Sequence, residues 1–352
     1  MSKRGVLVLC AALVIAVACV GYAGDRPLIG VIVPTLAHPF CRAEIDLAER
    51  VCEVLGADIE VWNYEWNVDK EIEGIENLIT MGADAIVVHA SNAEIGGTEI
   101  ALASQAGVAI VIADQYPSTV ELGEDPFFVG CLKLGDTVAG YNMTKTLIDE
   151  GYSKFAWVGP ELGAPYGQLR YAGFKQAVEE SAGAEIVVEQ WGIITQLDAV
   201  EATENVLTAH GDAIDCIVYP NGMYGMGGVE AAEKMGASVG IGTFDLSGAI
   251  LDYIGEAKIA AGVGGHWVQL GLGVVLAYDA VMGNTHPLVY YNIAPVLLTS
   301  PADLAAYNAY FIDQLPFSDE EILAMSLTYN PPMAEALAGY TVQAVTERRE
   351  AE

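Results

Sequence analysis

Basic residues are scarce in this chain. Fifteen Lys and Arg stand against 47 Asp and Glu over 352 residues, a formal charge of −32. A surface of that sign repels nucleic acid and anionic membranes, so neither is expected as a partner. Only 18% of residues are charged, so the imbalance is a shortage of cations, and it reads as a solvated acidic surface suited to salt or low pH. Cysteine is sparse as well, and four of the six lie beyond the first 23 residues: Cys41, Cys52, Cys131 and Cys216. Cys41 and Cys52 fall on one predicted helix, roughly 16 Å apart at its rise per residue, too far to bond to each other. No CxxC pair and no Cys/His zinc spacing occurs, and the five histidines are scattered, so no metal site is expected. Buried free thiols are the plain reading, with one disulfide between distant cysteines as the alternative in an oxidising compartment. The phosphate-cradling GxxxxGK[ST], a GxGxxG between strand and helix, the GxSxG elbow and HExxH are all missing. The glycines of "GMGGVEAAEKMG" follow no dinucleotide-type βαβ start. No cofactor is therefore expected, and nothing points to an enzyme.

What is present begins with the parts of an export signal: Lys3 and Arg4, an apolar run from Val6 to Ala18, and small Gly21 and Ala23 before a cut. A mature start at residue 24 places the protein outside the cytoplasm, and a cut before Cys19 would instead give a lipidated N-terminus. The apolar run is too short to span a bilayer. "WVQLGLGVVLAYDAVMG" is the strongest later candidate, but Gln269 and Asp279 make it a buried amphipathic helix. Loss of Lys3 and Arg4 would move the charge from −32 to −34.

Length predicts two domains, and 53% hydrophobic residues predict a full core in each. From Pro27, short β-branched runs alternate with helical patterns, the signature of parallel strands with crossover helices. "LIGVIV", "DIEVWNY", "AIVVHA", "AIVIAD" and "FFVGCL" form a first series. "KFAWVGP", "EIVVEQW", "CIVYPN", "VGIGTFD" and "IAAGVGG" form a second with the same rhythm. Two similar doubly wound α/β domains follow, with a ligand cleft between the carboxyl ends of their strands. "LVYYNIAPVLLTS", with Pro287 and Pro295, reads as one extended strand returning between the domains.

The strand ends carry the chemistry. Asp114, Asn221 and Asp245 each terminate an apolar run, where one such residue would only cap the next helix. Three of them, with Arg170 opening a helix and His38 after the first strand, make a converging rim. Carboxylate and guanidinium groups present paired hydrogen-bonding atoms that match adjacent hydroxyls. Phe40, Trp66, Tyr116, Trp191 and Trp267 fall near strand ends and could stack on the apolar face of a sugar, or pack in the core. His89 and His266 end apolar strands, and those ends face the cleft.

With these residues in view, the sequence resembles the type I periplasmic solute-binding proteins of the ribose-binding class. The likeness lies in "IGVIVPTLAHPFCRAEIDLAERVCEVLG", "GIENLITMGADAIVVHASNAEIG", "AGVAIVIADQYP", "GQLRYAGFKQAVEE", "IDCIVYPNGMYGMGGVEAAEKMG" and "IGTFDLSGAILDYIGEAKIAAGV", over about residues 27 to 285. The resemblance implies ligand contacts at His38, Phe40, Cys41, Asp114, Gln115, Arg170, Asn221 and Asp245, with His266 added beside Gly265. Phe40, Asp114, Arg170, Asn221 and Asp245 keep the family residue. His38 replaces an asparagine, Cys41 a phenylalanine, Gln115 an arginine and Gly265 a glutamine, and a second-domain phenylalanine falls near Ile194. Ribose itself is therefore not expected, while another sugar or polyol is. Less specifically, "APVLLTSPADLAAYNAYF" resembles extended relatives that bind rhamnose or autoinducer-2.

The resemblance also implies an N-terminal lobe of 27–130 with 266–291, a C-terminal lobe of 131–265 with 292–300, and a C-terminal extension of 301–352. The lobes would join at three crossings, near Gly130 to Leu132, Gly264 to His266 and Tyr291 to Pro295. Ligand would close the hinge, and the closed form would be read by the permease of an ATP-driven importer. A sensor that signals to a membrane receptor or histidine kinase is the alternative. A sugar-responsive repressor is disfavoured, because an export signal stands where a helix-turn-helix should be.

Overall fold

The structure, a computed structural model, describes residues 26–117, 125–246, 248–286 and 290–331. The export signal with Cys19, Pro287 and the charged end of the chain lie outside the described residues. The first series comprises β1 (Leu28–Val33), α1 (Pro39–Leu55), β2 (Asp58–Asn63), α2 (Val68–Met81), β3 (Ala85–His89), α3 (Gly96–Ala106), β4 (Ala109–Ala113) and β5 (Phe128–Leu134). The second comprises α4 (Asp136–Asp149), β6 (Lys154–Pro160), α5 (Pro165–Glu180), β7 (Glu185–Ile193), α6 (Gln196–His210), β8 (Cys216–Tyr219), α7 (Gly222–Met235), β9 (Gly240–Phe244), α8 (Ala249–Gly255) and β10 (Ala261–Gly264). The chain closes with α9 (Gln269–Val281), β11 (Tyr290–Ile293), β12 (Val296–Leu298), α10 (Pro301–Tyr307) and α11 (Asp319–Met325).

Among the described residues the strands form two six-stranded sheets, ordered β11-β5-β4-β3-β1-β2 and β12-β10-β9-β8-β6-β7. Each is parallel except where β12 runs antiparallel to β10. The Val- and Ile-rich central strands are buried at nearly every position, as a sheet covered on both faces by helices requires. β2 and β7, which carry Asp58, Glu60, Glu185 and Glu189, are half-exposed and occupy the sheet edges, where charge blocks further pairing.

The stretch expected as one returning strand is two. β11 pairs with β5 in the first sheet and β12 with β10 in the second, with Ala294 and Pro295 between them, because proline cannot continue a ladder. β5 itself runs on through Leu134, past Gly130 to Leu132, before the chain passes to α4 of the second sheet. The passage from β10 to α9 is a 3-10 turn over His266–Val268, entered through Gly265 at φ 87°.

α9 returns to the first sheet, packing on β3, β4, β5 and α1. A Cβ on Gly271 would lie 2.5 Å from Leu47 Cγ, so this face of α9 requires glycine for its close approach to α1. The helix is not amphipathic in the expected sense, since Gln269 and Asp279 are themselves fully buried and hydrogen-bonded. No described helix is long and apolar enough to cross a membrane. The four described cysteines are free and buried, so none forms the alternative disulfide.

Beyond Ser300 the chain spreads over both halves, with α10 against α8 and α11 against α1. Two buried anchors hold it. Tyr307 accepts from Trp267 Nε1 at 3.0 Å and donates to Leu246 O at 3.2 Å. Asp279 accepts from Ser326 Oγ, Leu327 N, Thr328 N and Thr328 Oγ1 at 2.6 to 3.0 Å.

Candidate functional site

The carboxyl ends of β3, β4, β8 and β9 and the start of α9 bring the polar residues together. Asp114 follows β4 and Asp245 follows β9, equivalent places in the two sheets, and both have left-handed backbone, φ 70° and 67°. Aspartate tolerates that conformation better than most residues, and it turns each carboxylate out of the strand direction. Gln115 steadies the first, donating from Nε2 to Asp114 Oδ2 at 2.9 Å.

Asp114 sits between two histidines. His89 Nε2 lies 3.7 Å from its Oδ2 and His266 Nε2 lies 3.8 Å from its Oδ1, while Gln269 Nε2 lies 3.4 Å from Oδ1. Burial alone would push the Asp114 carboxyl up, but His89, His266, Arg170 and the Gln269 amide together hold it below the usual carboxylate range. His89 is pulled down by burial and pushed up more strongly by Glu44 and Asp114, to about 9. Burial wins at His266, which is held below the usual imidazole range. Behind them Glu44 is fully buried on α1, its carboxylate 2.8 Å from both His89 Nδ1 and Gln269 Nε2.

From the second sheet comes Arg170, which lies inside α5 rather than at its opening, because Pro165 at the first turn starts the helix earlier. α5 crosses α4 at glycines, and a Cβ on Gly140 would meet Arg170 O at 2.2 Å, so only glycine allows this depth. Arg170 is buried with its guanidinium 4.3 Å from the Phe244 ring centre and 5.2 Å from that of Tyr166. Its Nε donates to Asp136 Oδ1 at 2.9 Å and its Nη1 to Pro220 O at 2.5 Å. Burial would lower its affinity for the proton, yet Asp136, Asp245 and Asp114 raise it, so the guanidinium stays charged. Asp136 is also 3.0 Å from Lys133 Nζ, which ties the end of β5 to the start of α4 across the first crossing.

Asn221 and Asp245 both serve the start of α7: Asn221 Oδ1 accepts from Tyr224 N and Asp245 Oδ2 from Gly222 N, each at 2.9 Å. The capping role open to each residue is thus real, and Asn221 Nδ2 also reaches Tyr166 Oη at 3.4 Å. Phe40 is buried at the start of α1, its ring 4.8 Å from that of His266 and 6.2 Å from that of His89. Cys41 is buried beside it, and burial with Glu44 nearby pushes its thiol well up.

Several expected contacts lie elsewhere. His38 is exposed and caps α1, its Nδ1 accepting from Phe40 N at 3.2 Å, because the preceding strand leaves the helix start without a Ser or Asp. Trp191 belongs to an aromatic cluster under α5, 5.7 Å from Trp157 and 5.1 Å from Tyr171. Trp267 is buried and spends its N–H on Tyr307. Tyr116 packs edge-on against Tyr290 at 5.3 Å. Trp66 is 64% exposed beyond β2, at φ 58°, and is the freest of the aromatic candidates. Glu44, Asp136 and Gln269 were not singled out as site residues, nor was His89 placed in the site. For His89 the signal was its position at the end of β3; Glu44 had none, since a glutamate on an amphipathic helix ordinarily faces water.

Comparison with known proteins bears on the whole arrangement. The family profile of the periplasmic binding protein domain matches residues 29–285. The ribose import binding protein of Escherichia coli is 24% identical over 283 residues, 80% of this chain and 93% of the relative. The D-apiose import binding protein of Paraburkholderia graminis is 26% identical over 264 residues, 74% of this chain and 83% of the relative. Among solved structures, an ABC transporter periplasmic solute-binding protein from Actinobacillus succinogenes with bound D-allose superposes with a TM-score of 0.73 at 22% identity, covering 80% of this chain and all of the other.

Proposed function

This chain belongs to the periplasmic binding protein family, and on that premise we propose that it captures a small hydroxylated solute, a sugar or polyol, between its two domains and delivers it to an ABC importer. The observation that carries the reading is the matched pair of left-handed aspartates, Asp114 and Asp245, at equivalent strand ends of the two sheets, with Arg170 and His266 between them. A polyol offers adjacent hydroxyls that donate to carboxylates and accept from guanidinium and imidazole. Phe40 supplies the apolar wall and Cys41 a smaller neighbour than an aromatic, which leaves room for a substituent that ribose lacks. Gln115 and Asn221 complete the polar rim, and Trp66 is an exposed ring that could close over a bound solute. Contacts from both lobes favour the closed hinge, so capture and closure draw on the same interactions, and no covalent step is involved. The three crossings form the hinge, and a permease reads its closed state. Export by the N-terminal signal, with a cut after Ala23 in preference to lipidation at Cys19, places the protein in the periplasm or on the outer face of the cytoplasmic membrane.

Thermal-shift screening of the mature chain against pentoses, hexoses, deoxysugars and inositols tests this. A solute at 100 times its dissociation constant stabilises the folded state by about 2.7 kcal/mol. Absence of a shift with every hydroxylated solute, at millimolar concentration, would overturn the reading.

A further inference from the structure

Cys41, Glu44 and His89 are separated by up to 48 positions in sequence, yet Sγ, a carboxylate oxygen and a ring nitrogen all lie within 4.8 Å of one another. Cys41 and Glu44 share one face of α1, three residues apart, and His89 reaches them from the end of β3. Relative exposures are 2%, 0% and 7%, so all three donors are withdrawn from water. We propose that they form a binding site for a thiophilic divalent cation of the zinc or cobalt kind. The inference does not rest on solute capture, although Cys41 borders the proposed solute site and His89 also faces Asp114.

Thiolate, imidazole and carboxylate together select borderline cations over magnesium or calcium, which prefer oxygen alone. On binding, the Cys41 thiol and the protonated His89 ring would each release a proton, leaving thiolate and carboxylate with two negative charges that a divalent ion cancels inside a pocket where an unbalanced charge would be costly. The outer contacts fit as well. His89 holds Glu44 through Nδ1 at 2.8 Å while its Nε2 lies 3.7 Å from Asp114 Oδ2, so the ring can ligate through one nitrogen and be oriented by a carboxylate at the other. Gln269 Nε2 fixes Glu44 Oε1 at 2.8 Å, and the Oε1 of the same amide is buried without a hydrogen-bond partner. A water would complete the fourth position. Tetrahedral ligands at about 2.0 to 2.3 Å from an ion stand roughly 3.3 to 3.8 Å apart. Replacing the 2.8 Å His89–Glu44 contact by a cation thus needs a separation of well under 1 Å.

The test is titration of the metal-free mature chain with Co²⁺, read by thiolate-to-cobalt charge-transfer absorption, with Zn²⁺ added in competition. One equivalent of cobalt should give the charge-transfer band together with tetrahedral visible bands, and zinc should remove both. Cys41→Ser should abolish the charge-transfer band. Gln269→Ala, an outer contact, should weaken cobalt about 10- to 100-fold. His89→Asn provides a second ligand variant, and circular dichroism of each variant confirms the fold. A folded wild-type protein without the band, or a band of full intensity in folded Cys41→Ser, would overturn the proposal. Calorimetric titration of metal-free protein with the best solute from the screen is read in parallel. Failure there with an intact cobalt site counts against solute capture and leaves the cation site standing.

Discussion

Asp279→Ala should be among the most destabilising single changes in this protein. The residue is fully buried near the carboxyl end of α9, where the helix dipole disfavours a negative charge, so the carboxylate persists only through its donors. There are five: His286 Nε2 at 2.7 Å, Ser326 Oγ at 2.6 Å, Leu327 N at 2.7 Å, Thr328 N at 3.0 Å and Thr328 Oγ1 at 2.7 Å. Burial pushes the carboxyl up, but His286, Ser326, Thr328 and the Leu327 amide outweigh it and hold it below the usual aspartate range. Alanine leaves these donors without their acceptor, and each orphaned buried donor costs about 1 to 3 kcal/mol. Refilling by solvent recovers part of that sum, so we expect about 3 to 5 kcal/mol, the range for breaking a buried ionic network. At about 2 to 4 °C per kcal/mol the melting temperature should fall by roughly 6 to 20 °C. Asp279→Asn keeps one acceptor oxygen and should cost less than half as much. The pH signature is equally definite. A folded pKa below the unfolded one contributes stability above the ordinary aspartate range and loses it as pH falls through the folded value, so the variant should approach wild type only in strong acid. Limited proteolysis should then cut near residues 326–330, which the carboxylate no longer docks. An Asp279→Ala protein that melts within 2 °C of wild type and resists protease would refute the account.

Other expectations follow from the same contacts. Asp114→Asn and Asp245→Asn keep a residue type that tolerates left-handed backbone, so both should fold while solute affinity drops roughly 10- to 100-fold by calorimetry; unchanged affinity in both would remove them from the site. Glu99 is fully buried beside Glu71, whose Oε1 accepts from Ser91 N at 2.9 Å, and burial with the Glu71 charge pushes the Glu99 carboxyl well up. A raised folded pKa means stability present at and below the ordinary glutamate range and lost as pH rises above it, so urea midpoints should fall with pH in wild type and stay flatter in Glu99→Gln. Parallel pH curves for the two proteins would contradict a raised Glu99 carboxyl. Gly271→Val would drive a side chain into Leu47 at the α1–α9 contact and should cost about 1 to 3 kcal/mol by denaturant unfolding, whereas a neutral result would mean that the helices can separate.

Periodicity made the two α/β domains legible, because a parallel sheet covered by helices needs continuous apolar strands at a regular spacing, and "LIGVIV", "AIVVH" and "CIVY" are such strands. The polar strand ends were legible for the same reason, since the residue after an apolar run sits at the carboxyl end of its strand, as Asp114 and Asp245 do. Side-chain direction was not. His38 and Trp191 were read by position, but a free helix start took His38 as its cap and a neighbouring aromatic cluster took Trp191. Nor does any local pattern report the pairing of distant residues. Glu44 on a helix and Gln269 at the start of an apolar helix each read as ordinary until the fold set them 2.8 Å apart, beside His89. The sequence by itself determined which residues are strand, helix and strand end, because hydrophobic period and turn chemistry act over a few residues. Only the tertiary structure decided which buried charges face one another, because partners that stabilise a charge away from water are chosen in space, across more than 200 positions of chain.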